Sequence, residues 1–283
     1  MKLSIIIPAY NEEEHLSDCL SSFVSQSTVP DELIVADDNS SDSTFLIAQE
    51  FSRKYDWIKV YKNNSQSLHM PGSKVINNFY FGLSFSAGNY DLLGKFDADV
   101  LLPPNYFEEI KNYFLKYPNL GMCAGNVYVE SQNGEWVHEK ISDKEHIRGP
   151  VKLYSAECFK KIGGLKASIG WDTVDELLAK YYNYQTMTVP SLKVKHLRPT
   201  GKSYNPKAKK LQGEALYKMR YGFRLAFLSA LKMSVNFRDP KILQAYLVGY
   251  LKAEKEKQPF LVSEEEGRFI RNFRWKNIRK KLF

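Results

Sequence analysis

The stretch Tyr90-Asp91-Leu92-Leu93-Gly94-Lys95-Phe96-Asp97-Ala98-Asp99-Val100 decides how the rest of the chain is read. Its apolar run reads as a buried strand. Asp97 and Asp99 stand one residue apart at the strand end, so on an extended backbone both carboxylates project to the same side. Ala98 between them faces away and takes little room. Two like charges held that close repel, and the pairing is tolerable when a cation sits between them and something anionic. A hard divalent ion bridging carboxylate and phosphate oxygens meets that need. For an isolated Asp-x-Asp a solvated turn is the plain alternative, so the surroundings decide.

Upstream, strand and helix alternate. Leu3-Ser4-Ile5-Ile6-Ile7 is a β-branched run expected as a buried parallel strand, ending at Pro8-Ala9-Tyr10-Asn11-Glu12. Residues 13–26 have helical periodicity through Leu16, Leu20, Phe23 and Val24. A second strand, 32–36, ends in Asp37-Asp38-Asn39-Ser40, and Ser41-Asp42-Ser43 can cap the next helix. A third strand over 57–61 and a helix over 74–87 lead to the acidic pair. Four such alternations predict an α/β fold with an open, mostly parallel sheet flanked by helices. Ligands of such sheets gather beyond the carboxyl ends of the strands. Three of those ends carry polar clusters: Tyr10-Asn11-Glu12, Asp37-Asp38 and Asp97-x-Asp99. The first strand is not followed by G-x-G-x-x-G, and Pro71-Gly72-Ser73-Lys74 lacks the spacing of a phosphate loop.

The segments Ile5-Ile6-Ile7-Pro8-Ala9-Tyr10-Asn11-Glu12, Ile34-Val35-Ala36-Asp37-Asp38-Asn39-Ser40 and Phe96-Asp97-Ala98-Asp99 follow one another in an order and spacing that resembles the family 2 glycosyltransferases. The resemblance implies a GT-A fold, with a Rossmann-like mostly parallel sheet, and a nucleotide-diphosphate sugar donor with Mn2+ or Mg2+ as cofactor; UDP is the favoured nucleotide, with GDP and dTDP the alternatives. It further implies that Pro8, Ala9, Tyr10, Asn11 and Glu12 line the base and ribose. Asp38 would accept a hydrogen bond from the base, and Asp97 would orient the ribose or the metal shell. Lys74 falls where the family often has a basic residue, and a cation there can meet the diphosphate; an exposed lysine at a helix start is the plain alternative.

Farther along, Pro103-Pro104 is expected to open a helix through Phe107 and Phe114, and residues 121–129 another strand. A polar loop over 131–149 is where the acceptor would be selected. In Gly170-Trp171-Asp172-Thr173-Val174-Asp175-Glu176, Trp171 stands where the family has Glu, and one extra residue separates Asp172 from Asp175. The resemblance makes Asp172 the general base of an inverting transfer, with Asp175 the alternative. An N-cap for the helix starting at Thr173 is the plain reading of Asp172. His196 closes a strand over 192–196, where a family histidine can complete the metal site with Asp99, and imidazole suits Mn2+ better than Mg2+. The remaining histidines, His15, His69, His138 and His146, match no motif.

Composition bounds these readings. The chain has 283 residues, of which 43% are hydrophobic and 25% charged, as in ordinary globular proteins. Its 40 basic and 32 acidic residues leave a net charge of +8, much of it after residue 192. Cys19, Cys123 and Cys158 show no paired spacing and are expected as reduced thiols of a cytosolic protein. Neither a leader peptide nor a spanning helix is expected. The organisation expected is a donor-binding half over 1–100, an acceptor-binding half of the same domain over 101–201, and a basic helical C-terminal extension over 202–283. Helices in that extension with aromatics and leucines among basic residues can lie on an anionic membrane surface, whereas no nucleic-acid motif accompanies the charge. The expected acceptor is a saccharide or a lipid-linked one, and the expected location is cytoplasmic, peripheral on the inner membrane face. The rivals are a nucleotidyltransferase, which would want a Gly-rich basic loop after the first strand, and a non-catalytic membrane-associated scaffold on the same fold.

Overall fold

The computed structural model describes residues 1–64, 72–139, 145–198 and 206–282. Its first half is built from β1 (Leu3–Ala9), α1 (Leu16–Val24), β2 (Glu32–Asp37), α2 (Thr44–Lys54), β3 (Ile58–Lys62), α3 (Ser73–Leu83) and β4 (Leu92–Phe96). β3, β2, β1 and β4 lie side by side, all parallel. β1 is buried along its whole length, which is why it reads as an unbroken apolar run. It continues two residues past its expected end. Its pairing with β4 stops at Ile6–Lys95 while that with β2 runs on to Ala9–Asp37, so Pro8 sits where one side of the strand no longer needs a donor. α3 lies close over this sheet because residue 82 is glycine: a Cβ there would stand 2.8 Å from Ile6 Cγ2.

Beyond β4 the sheet becomes mixed. β5 (Val100–Leu101) and α4 (Tyr106–Lys116) are followed by β6 (Leu120–Glu130), β7 (Trp136–His138), β8 (Val151–Ser155), α5 (Ala156–Lys161), α6 (Trp171–Tyr181) and β9 (Gln185–His196). β8 runs antiparallel between β4 and β6, β9 lies parallel to β6, and β5 pairs antiparallel with the end of β9. That last pairing sets Val100 against His196 and so brings the acidic pair and the histidine to one edge. Pro103 and Pro104 precede α4 rather than opening it, with Asn105 at the N-cap. The polar loop carries β7, a short strand folded back on β6, and its residues 140–144 lie outside the described ones.

Four helices follow: α7 (Pro206–Lys218), α8 (Phe223–Asn236), α9 (Pro240–Lys255) and α10 (Glu264–Leu282). The 201/202 boundary lies outside the described residues. α7 and α9 meet backbone to backbone through two glycines. A Cβ on Gly213 would fall 1.9 Å from Tyr246 O, and one on Gly249 equally close to Lys210 O. α10 packs on α6, with Phe269 against Tyr181 and Glu266 accepting from the Tyr182 hydroxyl at 2.9 Å. Among the described residues no helix is long and apolar enough to cross a membrane.

Candidate active site

The loops after β1 and β2 are laced together at the carboxyl edge of the sheet. Asn11 N donates to Ser40 Oγ at 3.0 Å, Ser41 N to Asn11 Oδ1 at 2.9 Å, and Glu12 N to Thr44 Oγ1 at 2.7 Å. Asn11 and Asn39 take positive φ (53° and 58°), a region asparagine tolerates better than most residues. Pro8 and Ala9 are therefore buried inside β1, and Tyr10, 46% exposed, stands at the mouth. Lys74, at the start of α3, lies 3.1 Å from Asp38 Oδ2 and 4.3 Å from the centre of the Tyr10 ring. The structure thus gathers Tyr10, Asp38 and Lys74 into one contact, a flat aromatic face beside a carboxylate and an ammonium.

Next along the edge is a cluster of three metal-type ligands. Asp97, Asp99 and His196 each offer one atom, and those atoms lie within 4.8 Å of one another. His196 Nε2 is 3.3 Å from Asp99 Oδ1, and its buried Nδ1 has no hydrogen-bond partner among the described residues. Burial pushes the His196 ring toward neutrality, but Asp99 holds its pKa above the ordinary value. Burial likewise opposes the Asp99 carboxylate, and His196 more than offsets it, so its pKa lies below the usual range. Asp97 also receives the Lys95 ammonium on Oδ1. Glu12 completes the rim: its carboxylate meets Arg198 at 3.1 and 2.7 Å. Burial first, then the Asp99 charge, raises its pKa to about 7 against the pull of Arg198. Two carboxylates and an imidazole at this spacing fit a divalent transition ion, with Asp97 keeping its second oxygen free of Lys95.

From Lys95 the site continues inward. Lys95 on β4 and Lys152 on β8 are directly opposed across the antiparallel pair, and both are almost wholly buried. Two like charges so placed need counter-charge. Lys152 Nζ lies 2.8 Å from both oxygens of Asp175 and donates to Asp172 O at 2.6 Å, while the indole of Trp171 lies 5.1 Å from the Lys95 ammonium and 5.3 Å from that of Lys152. Trp171 is therefore core, a π face between two ammonium groups. Lys95 Nζ also donates to Gly149 O at 3.2 Å, and a Cβ on Gly149 would sit 3.4 Å from Asp172 Oδ2. One contact chain joins the acidic pair to α6.

On α6 the two candidate bases part company. Gly170 is the N-cap and no side chain caps the helix, so Asp172 lies within the first turn and capping, the plain alternative to a base, is not what holds it. Its side chain is 29% exposed and faces His146, whose Nε2 stands 3.7 Å from Asp172 Oδ2. Burial pushes the Asp172 pKa up, yet the contact with His146 and the charges of Lys152 and Arg148 keep it far below the usual carboxylate range. Asp175 is wholly buried between Lys152 and the Tyr154 hydroxyl, 2.5 Å away, and no acceptor can reach it. The sequence reading missed Arg198 and His146. Arg198 lies just past the end of β9, in a bend that strand alternation does not reach. Glu176, one helical turn after Asp172, was readable as sharing its helix face; His146, which bridges the two, lies in a loop and carried no such signal.

The strand ends, their acidic cluster and the helix carrying Asp172 define a class, the GT-A nucleotide-sugar fold. The chain belongs to glycosyl transferase family 2, whose family model matches residues 4–167. It is 35% identical over 116 residues to the probable glycosyltransferase YdaM of Bacillus subtilis, a match covering 40% of this chain and 25% of that protein. The chain thus spans only a quarter of that relative. Among solved structures it resembles S. aureus TarS 1-349 in complex with UDP-GlcNAc, with a TM-score of 0.58 and 17% identity over 95% of this chain and 78% of that one. It also resembles the mannosyltransferase PcManGT of Pyrobaculum calidifontis in complex with GDP-Man and Mn2+, with a TM-score of 0.56 and 14% identity over 100% and 81% of the two chains.

Proposed function

We propose that this protein transfers a sugar from a nucleotide-diphosphate donor to an acceptor hydroxyl with inversion, assisted by a divalent ion. The observation that carries the reading is the meeting of Asp97, Asp99 and His196 on the edge that also holds Tyr10, Asp38 and Lys74. Tyr10 and Asp38 take the base, Pro8, Ala9 and Asn11 support the backbone beneath it, and Glu12 faces the metal cluster beside Arg198. Lys74 exchanges its contact with Asp38 for a donor phosphate. Asp99 and His196 are the metal ligands, and Asp97 orients the ribose or the metal shell. A bound ion supplies charge that stabilises the departing diphosphate. Asp172 takes the acceptor's proton as the hydroxyl attacks the anomeric carbon from the opposite face. In this organisation residues 1–100 hold the donor, 101–201 the acceptor, and 202–283 form a basic helical extension whose α10 packs on α6.

UDP is the favoured nucleotide of the donor, in keeping with the UDP-GlcNAc complex of TarS; the GDP-Man and Mn2+ complex of PcManGT keeps GDP in view and favours Mn2+. The acceptor is a saccharide or lipid-linked saccharide met at the cytoplasmic face of a membrane. α8 supports that setting: Phe227, Leu228, Leu231 and Val235 are exposed on one side of it, beside Arg224 and Lys232, and the helix contains no acidic residue. Such a face suits an anionic lipid surface. Co-sedimentation with anionic but not neutral vesicles, abolished by Leu231→Asp with Val235→Asp, is expected; sedimentation that the double variant leaves unchanged removes the membrane role.

The donor reading is tested by thermal shift with UDP, GDP and their sugars, with and without Mn2+, since a ligand of the native state raises its stability by mass action. A rise of Tm for one nucleotide that requires Mn2+ is expected. No shift with any nucleotide, with or without Mn2+, overturns the donor reading.

A further inference from the structure

His146 occupies a position the transfer reaction described above does not use. It lies just before β8 and bridges two carboxylates of α6, Asp172 and Glu176, which are four residues apart and share a helix face. Nδ1 is 2.7 Å from Glu176 Oε2, and Nε2 is 3.7 Å from Asp172 Oδ2. Glu176 cannot swing away: its second oxygen is paired with Lys180, and Oε2 also accepts from Ile147 N at 3.3 Å. With Glu176 ionised, Nδ1 keeps its proton, and in the neutral ring the Nε2 lone pair faces Asp172. The charged groups around the ring are Asp172, Glu176 and Lys180 of α6, Lys152 of β8 with its partner Asp175, and Arg148 with its partner Glu139. The two carboxylates in contact outweigh the cations behind them.

We propose that His146 is the proton reservoir behind Asp172, with Glu176 holding the ring in the tautomer that can receive a proton. The inference rests on Asp172 being the base. As the acceptor O–H bond breaks, the new bond from that oxygen to the anomeric carbon forms. The bond from that carbon to the diphosphate oxygen breaks, and its electron pair leaves with the nucleotide. The proton passes to the Asp172 carboxylate and then to His146 Nε2, leaving an imidazolium between two carboxylates. A carboxylate left alone with the proton would have a low affinity for it and pass it back; the imidazole removes that limit. His146 is a positioning residue that acts on the acceptor through Asp172. Turnover therefore requires the neutral ring at the start, and it rises with pH until His146 is deprotonated.

The test compares the parent with His146→Gln, His146→Asn and Asp172→Asn. Release of nucleoside diphosphate from UDP-GlcNAc and GDP-mannose is followed with Mn2+ from pH 5.5 to 9, alongside the NMR titration of the His146 ring signal, identified by its loss in His146→Gln. The parent kcat is expected to rise with pH and level off at the His146 titration point. Both His146 variants lose that rise, and their plateau falls on the order of 10²-fold with donor KM unchanged. In Asp172→Asn the His146 titration moves to lower pH. An unchanged kcat–pH rise in His146→Gln, with Asp172→Asn inactive, overturns this inference alone. Full turnover by Asp172→Asn overturns the base assignment and this inference with it. A His146 titration that Asp172→Asn leaves in place overturns the coupling whether or not either donor is turned over.

Discussion

Two aspartate–histidine pairs lie on either side of the Lys95–Lys152 contact, and their second ring nitrogens distinguish them. At the sheet edge His196 contacts Asp99, and its Nδ1 is left without a partner among the described residues. On α6 His146 contacts Asp172, and its Nδ1 is fixed by Glu176. Both rings are held above the ordinary histidine pKa by their carboxylates against the effect of burial. The difference lies in what each ring can still do. An imidazole that shares ligand spacing with two carboxylates is placed to meet a cation, whereas one clamped between two carboxylates is built to gain and lose a proton. The same pair of side chains serves two chemistries according to the third group.

The largest effect expected from breaking this contrast is at Asp172. Asp172→Asn should lower kcat by roughly 10²–10⁴-fold with the fold intact, as steady-state kinetics beside circular dichroism will show. Asp175, three residues on, should behave in the opposite way. Replacing its partner by Lys152→Met leaves a buried carboxylate uncompensated, which costs about 3–5 kcal/mol and appears as a drop in Tm. If Lys152→Met left Tm unchanged, the division of labour between the two aspartates would be wrong.

A smaller, pH-dependent effect sharpens the comparison. His146 has its folded pKa raised above 6.5, so the stability it contributes is fully present below 6.5 and is lost as pH rises through the folded value. Glu176 has its folded pKa lowered from 4.5 to about 2, through His146 and Lys180 against the cost of burial, so its contribution is present above 4.5 and fades as pH falls toward 2. Denaturant titrations should place this cluster's best pH between those limits, and His146→Gln should flatten the alkaline side.

How much of this was legible in the sequence follows from where the signals lie. Strand ends were readable because a parallel strand buried on both faces is an uninterrupted apolar run, and whatever breaks it stands at the ligand edge; Tyr10, Asp38, Asp97 and Asp99 were all found that way. Lys95 and Lys152 were not interpreted, because a charged residue inside an apolar strand makes sense only once the opposing strand and Trp171 are known. His146 was left unassigned since its partners come from a helix some thirty residues later. The extension was read for its charge, but not for the Gly213 and Gly249 contact, which depends on two helices far apart in sequence.

The central claim is that Asp99 and His196 hold a divalent ion onto the donor's diphosphate. Mn2+ binding, followed through the EPR signal of the free ion with and without UDP or GDP, tests it most directly. One nucleotide is expected to tighten Mn2+ binding by about tenfold or more in the parent, equivalent to a coupling of about 1.4 kcal/mol, and to do nothing in Asp99→Asn. Equal Mn2+ affinity with and without either nucleotide, or tightening that persists in Asp99→Asn, would contradict it.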